Sequence, residues 1–471
     1  MRHIPRAAKE TLDHSFTVIA SEAMQSRVPP ESTNAGSPRP WGPRDDETGV
    51  LEGAFLPLAA LALAAMLALP AQAKEGDTFR PFVSLGYFND SNLFRLSDDE
   101  SPGFTRDDRY SVLSAGLDVD WKPARQQIVV NATKTWVRYG RNTAFDSDGS
   151  DYKATWNWRL GNRLSGNLGA NESRSQSNFD SVGLVNNLVK RKRYFGRAEW
   201  EFHPRWRIGG GLAETDNTNS DPSQISNDFQ QQTQDITLSY HTPKGSKLRA
   251  QVRRIDAEFP NPEVVSYVCS FFNLCPPFPF TSTPSEVADN SYKQTEYNLL
   301  GDWRVSGKLA LRGQAGWVDR QYENVLRGDL AGPPQLRERP DFSGFSGRMT
   351  ADWYATAKTL LSVSAYRELG GAGDINATSV LKSGGSLNGV WLIREKWRLN
   401  AGMTYENRDF RGDPDVTQRN DDTLGESLSL SYMPIRAVSI DVGVRAGRRD
   451  SNIADDEYTF NSWFANVRAD F

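Results

Sequence analysis

Residues 151–166 read DYKATWNWRLGNRLSG. In the first ten, Tyr152, Ala154, Trp156, Trp158 and Leu160 alternate with Asp151, Lys153, Thr155, Asn157 and Arg159. Successive side chains of a strand point to opposite faces, so this is a strand with one apolar and one polar face. A tight turn follows at Gly161 and Asn162, and the alternation resumes. The same figure recurs along the chain. Tyr194, Gly196, Ala198, Trp200 and Phe202 oppose Arg193, Phe195, Arg197, Glu199 and Glu201, and Val438, Ile440, Val442, Val444 and Ala446 oppose Ser439, Asp441, Gly443 and Arg445. Strands of soluble sandwiches run to about five or six residues. These reach ten or more, the length a tilted membrane strand needs.

The turn repeats in eight places. WKPARQQI (121–128), WRLGNRLSG (158–166), FHPRWRI (202–208) and YHTPKGSKL (240–248) are followed by WRVSGKL (303–309), YATAKTL (354–360), WLIREKWRL (391–399) and YMPIRAV (432–438). Each has an aromatic, a short turn with a basic residue, and a resumed strand. Long segments rich in Asp, Asn, Ser, Gly and Pro lie between them. Short turns at one end and long loops at the other are the asymmetry of bacterial outer-membrane barrels. Eight turns between nine hairpins predict an all-β transmembrane antiparallel barrel of about eighteen strands. An even count leaves both chain ends in the periplasm. Trp121, Trp158, Phe202, Tyr240, Trp303, Tyr354, Trp391 and Tyr432 are then expected to form the periplasmic aromatic girdle.

Composition agrees. Mean hydropathy is below zero, as in large barrels whose lumen is wet and only half of whose strand residues face lipid. Aromatics make up 11% of the 471 residues, and a net charge of −4 gives no sign of nucleic-acid binding. The apolar run 55–69 (FLPLAALALAAMLAL) ends in Pro70 and the A-x-A site Ala71–Ala73. It is too short to span a bilayer comfortably and reads as part of a secretory signal peptide. The expected organisation is a disordered or over-extended N-terminus (1–50), a signal peptide (51–73) and an outer-membrane barrel (74–471). The last strand carries Trp463, Ala465, Val467, Ala469 and the terminal Phe471 on one face. Trp463, Val467 and Phe471 form the expected signal for the barrel assembly machinery. Cys269 and Cys275, in CSFFNLCPPFPF, read as a local disulfide in an exported protein, with two reduced thiols as the alternative. They sit in the longest loop, 259–290, the expected partial plug.

The polar strand face gives the lumen candidates: Arg159, Arg197, Arg207, Arg249, Arg253, Arg312, Arg348, Arg398, Arg445 and Arg468. Asp118, Asp120, Glu199, Glu201, Asp302, Asp352 and Asp441 share that face. Arg offers a rigid fork of donors to carboxylate or phosphate. The arginines either guide an acidic polymer or pair with acids and hold the wall in shape. Beyond the signal only His203 and His241 remain, each beside a short turn. A His-dependent catalytic site would need a His within hydrogen-bond reach of a nucleophile; the sequence offers no such constellation, and G-x-S-x-G and H-E-x-x-H motifs are absent. No enzyme, cofactor or metal site is expected.

The first strand runs into Asn89, Asp90, Ser91, Asn92, Leu93, Phe94, Arg95 and Leu96. This segment resembles the D-x-N-x-F-R-L stretch near the mature start of EpsL-type proteins, barrels of exopolysaccharide operons. The overall layout, from signal peptide to terminal Phe, is similar too. The resemblance implies export of an exopolysaccharide through the outer membrane. On the residues alone, the segment reads as a polar turn capping the first hairpin, with Phe94 as a rim anchor. Two other functions stay open: a general or substrate-specific uptake porin, and a structural or adhesive surface barrel.

Overall fold

In a computed structural model, residues 78–97, 105–179, 184–261, 290–322, 341–370, 379–411 and 418–471 are described in full, and 263–269 and 282–288 by their backbone. The strands are β1 (Phe79–Asp90), β2 (Asp108–Trp121), β3 (Gln127–Tyr139), β4 (Ser147–Leu160), β5 (Leu164–Gln176), β6 (Leu188–His203), β7 (Trp206–Asn219), β8 (Phe229–His241), β9 (Lys247–Glu258) and β10 (Glu263–Cys269). They continue as β11 (Ser282–Ala288), β12 (Tyr292–Arg304), β13 (Leu309–Tyr322), β14 (Phe342–Thr356), β15 (Thr359–Gly370), β16 (Ser379–Arg394), β17 (Trp397–Arg411), β18 (Asn420–Ile435), β19 (Val438–Ser451) and β20 (Tyr458–Asp470).

Eighteen of these form one antiparallel sheet in which each strand pairs with its sequence neighbours, β9 pairing directly with β12. β1 pairs with both β2 and β20, from Phe82↔Asp470 to Asp90↔Ser462, so the sheet closes. Closure leaves no strand edge unpaired, which is what permits strands to cross lipid. The backbone N–H of Phe471 also donates to the Pro81 carbonyl at 2.8 Å. β10 and β11 pair only with each other, as a hairpin within the 259–290 connection.

All eight expected turns are found, between β2/β3, β4/β5, β6/β7, β8/β9, β12/β13, β14/β15, β16/β17 and β18/β19. Gly161 and Gly245 adopt φ of +60° and +84° in two of them, a conformation that favours glycine. The start of β1 and the end of β20 lie at this same end of the barrel.

One face of each strand carries large exposed apolar side chains, among them Leu168, Leu212, Ile236, Val252, Leu299, Val363, Leu387, Met403 and Val444. The other face carries side chains that reach across a whole intervening strand. Arg197 on β6 meets Asp235 on β8, and Tyr366 on β15 meets Glu406 on β17. Only the concave side of a curved wall brings alternate strands that close, so this face is the inside.

The girdle needs one correction. The strict pairing of β14 with β15 puts Tyr354 on the inward face with Arg348 and Asp352, and the outward ring there is Trp353, 49% exposed. Both positions are aromatic, and only the register decides between them. The signal peptide and Cys275 lie outside the described residues, as does the side chain of Cys269.

Candidate functional site: the inward wall

The inward face of β6 to β17 is a hydrogen-bonded belt of arginines, acids and amides. Arg197 donates to Asp235 at 2.7 Å and to the Thr237 hydroxyl at 2.8 Å, while Gln251 donates to the same carboxylate at 3.0 Å. Gly211 of β7 lies beneath this pair. A Cβ there would stand 2.5 Å from Asp235 Oδ2. Gly384 does the same under Tyr366 and Glu406: its Cβ would stand 2.9 Å from the tyrosine hydroxyl. In both places glycine on the middle strand lets its two neighbours join hands.

Arg207 is held by Glu199 and Glu201 at 3.1 and 2.8 Å, and Arg249 by Asp302 at 2.9 Å. Arg253 meets Glu296 at 3.3 Å; Gln294 and Asn298 also donate to that buried carboxylate. Arg312 pairs with Asp352 at 2.6 Å, and Arg348 grips Glu368 through Nε and Nη2, both at 2.8 Å. Arg468 reaches Asp470 at 2.7 Å and Asp118 at 3.5 Å. Of the ten arginines singled out by alternation, seven are thus tied to acids. Arg159, Arg398 and Arg445 make no ion pair among the described residues; Arg445 lies 5.0 Å from the Phe464 ring. Arg159 borders a recess of about 500 Å³ at the short-turn end, with Arg125, Gln127, Asn157, Asn167 and Arg197. His203 and His241 end β6 and β8 at that same end.

A second inward feature is aromatic. Phe464, Phe88, Tyr110 and Tyr139 occupy one register row across β20, β1, β2 and β3. Phe88 stacks on Tyr110 with centroids 4.9 Å apart and planes within 4°. Phe464 lies 5.9 Å away on one side of Phe88, and Tyr139 lies 5.3 Å from Tyr110 on the other. The pattern Tyr87-Phe88 and Trp463-Phe464 was the available signal. Two successive aromatics cannot both face lipid, so one ring of each pair must point inward.

At the long-loop end the connections fold against one another. Phe94 is wholly buried and packs with Phe145 and Phe179, at centroid distances of 5.1 and 5.0 Å, so three separate connections meet. Inward-facing Tyr139 packs against this cluster, which places it on the lumen side. The loop is held by Asn92, which donates to the Leu96 and Thr459 carbonyls at 2.8 and 3.0 Å, and by Arg95 on Asp90 at 2.8 Å. Asp90–Leu96 therefore is the capping turn, with its phenylalanine driven deeper than a rim anchor. Nearby, Arg419 joins Asp421 and Asp456 at 2.6 and 2.9 Å, both acids being buried. Asp146 lies between the strands, and burial pushes its carboxyl above the usual range. Asp108 and Asp148 add to this, against the Tyr139 N–H and Arg138.

Residues 334–471, which hold the final seven strands, match the family model described as "Putative beta-barrel porin 2". No curated protein sequence matches the chain. Solved structures similar to it include the outer membrane protein opdK of Pseudomonas aeruginosa, at 10% identity over 83% of this chain and 99% of that one, with a TM-score of 0.43. A BenF-like porin of Pseudomonas fluorescens Pf-5 shows 9% identity over 84% and 99%, with a TM-score of 0.44. With its closed wall, its apolar outer band and the match of its last strands to a porin family, this chain is a porin-like β-barrel of the bacterial outer membrane.

Proposed function

We propose that the barrel is a passive uptake channel for small hydrophilic solutes that carry sugar rings. The observation that carries this reading is the inward row Phe464–Phe88–Tyr110–Tyr139. A pyranose presents an apolar C–H face to a ring and hydroxyls to its edges. Aromatic platforms flanked by a few well-placed polar groups suit that ligand. Arg445 beside Phe464 supplies donors at the margin. Pairing of most wall arginines with acids makes a strongly anion-selective pore the weaker expectation. A barrel of about eighteen strands leaves an aqueous channel unless it is filled.

The resemblance of Asp90–Leu96 to EpsL-type proteins supports a rival reading, outward passage of an exopolysaccharide. Against it, the side chains of Asp90, Asn92, Phe94 and Arg95 are spent on folding their own loop. The inner side of the long-loop end is also crowded by packed connections, which suits short solutes better than a long polymer. Purified barrel in planar bilayers separates the readings. Uptake predicts steady ion conductance, transiently blocked by isomaltohexaose, with blocks shortened in Phe88→Ala/Phe464→Ala. No conductance would leave only a structural barrel. Passage of long dextran would favour export.

A further inference from the structure

Residues 190–193 read KRKR at the start of β6, four consecutive basic residues in a transmembrane strand. Alternation sends Arg191 and Arg193 inward and Lys190 and Lys192 outward. Lys190 stands directly opposite Arg174 of β5, and Arg174 opposite Ser150, which is opposite Lys134 of β3. Like charges directly opposite one another in a sheet destabilise it unless an anion lies between them. The acids on this outward surface are too few for the cations. Glu172 meets Lys190 at 3.1 Å, Asp216 is opposite Lys192, and Asp148 is taken by Arg138 at 2.9 Å; Lys134 and Arg174 remain against Glu214 alone, which stands opposite Tyr194. A net positive patch remains at the long-loop end, beside the exposed rings of Tyr152 and Tyr194.

Further along the same strands, toward the short turns, lies an outward apolar groove of about 830 Å³. Its walls include Trp156, Leu168, Leu212, Ile236 and Val252, and its floor is lowered by Gly196 and Gly210. Tyrosines prefer the headgroup level of a membrane. The basic patch therefore lies where outer-leaflet headgroups sit, and the groove where acyl chains run.

We propose that this face is a specific binding site for a phosphorylated glycolipid of the outer leaflet. Lys134, Arg174, Lys190 and Lys192 hold its phosphates, and an acyl chain lies along the groove over Gly196 and Gly210. This stands apart from the solute path, which runs on the opposite face of the wall.

The test is native mass spectrometry of the full barrel, exchanged into detergent with diphosphoryl lipid A or with phosphatidylcholine. Wild type should retain one lipid A per barrel and no phosphatidylcholine. Arg174→Gln/Lys190→Gln should lower occupancy about tenfold or more, since each surface cation contributes measurably to anionic-lipid attraction. Gly210→Leu should lower it too, by filling the groove. Its Cβ would meet only the Asp235 carbonyl oxygen, at 3.5 Å, so the wall tolerates it. Arg367→Gln/Arg448→Gln, outward on β15 and β19, is the charge-matched control and should change nothing. Heat-modifiable mobility on gels verifies folding of every variant. Equal retention by wild type and the first double variant overturns the site, as does equal loss in the control. Equal binding of phosphatidylcholine overturns the role of phosphate.

Discussion

Gly211 sits beneath an ion pair that spans from β6 to β8, which allows the belt's energetics to be tested by a cycle. Gly→Ala within a strand ordinarily stabilises, by about 0.5–1 kcal/mol, because glycine loses the most freedom on folding. Here the new Cβ would stand 2.5 Å from Asp235 Oδ2 and 3.4 Å from Arg197 Nη1, so the pair must part. A hydrogen bond to a charged group contributes about 1.5–3 kcal/mol. Arg197 is about a third exposed, so water in the lumen reduces that to roughly 1–2 kcal/mol. Gly211→Ala should thus cost about 1 kcal/mol in the native background, and gain about 0.5 kcal/mol in an Asp235→Ala background. The coupling is about 1.5 kcal/mol, outside the few tenths expected of independent sites. Urea unfolding in phospholipid vesicles, followed by tryptophan fluorescence, measures all four corners. Additive changes would show that the pair does not hold alternate strands together, and the belt would lose its claim to stiffen the wall.

Four other outcomes are expected. Deleting Phe471 removes the donor to Pro81 and an anchor of β20 against β1, so the heat-modifiable folded fraction in outer membranes should fall severalfold; unchanged levels would remove the terminal strand from the assembly argument. Phe94→Ala should cost the long-loop end about 3–5 kcal/mol and expose residues 91–97 to protease while the barrel stays heat-modifiable. Arg159→Glu should shift ion selectivity toward cations with little change in stability, whereas Arg249→Glu places two acids together at Asp302 and should lower stability; reversal potentials and urea midpoints tell them apart. The raised carboxyl of Asp146 favours the folded state only where it is protonated, below the ordinary carboxylate pKa, and that contribution is lost as pH rises through its raised value. Asp146→Asn keeps the acceptor for Tyr139 N–H and should raise thermal stability at neutral pH but not near pH 3, as paired melts would reveal.

The turns and strand count were legible because each rests on local signals: alternation, an aromatic, and a short polar break. Alternation, however, fixes a strand only to within two residues, and contacts between strands depend on the register itself. Hence the arginines were readable as inward, while their partners Asp235, Glu296 and Glu368 were not, since each sits on another strand. The Tyr354/Trp353 exchange has the same origin. The aromatic row is not legible in any one strand, because each ring sits alone within a polar strand face; only the pairing of β20, β1, β2 and β3 assembles it. Phe94 shows the other limit. Nothing in its own segment says that Phe145 and Phe179, from different connections, will meet it.

The meeting of β1 and β20 also bears on how the chain can be cut. Both strand ends lie at the short-turn rim, where the Phe471 N–H reaches the Pro81 carbonyl. A short linker could join them, and new termini could open at a short turn such as the one containing Gly245. Every strand would keep its neighbours. Circular permutants of this kind are tolerated where cuts fall in exposed turns. Such a permutant would begin with β9, whose side chains face the same partners on β8 and β12 as before. The barrel is a ring of pairwise registers, and the place where the chain happens to start is one of several that the ring allows.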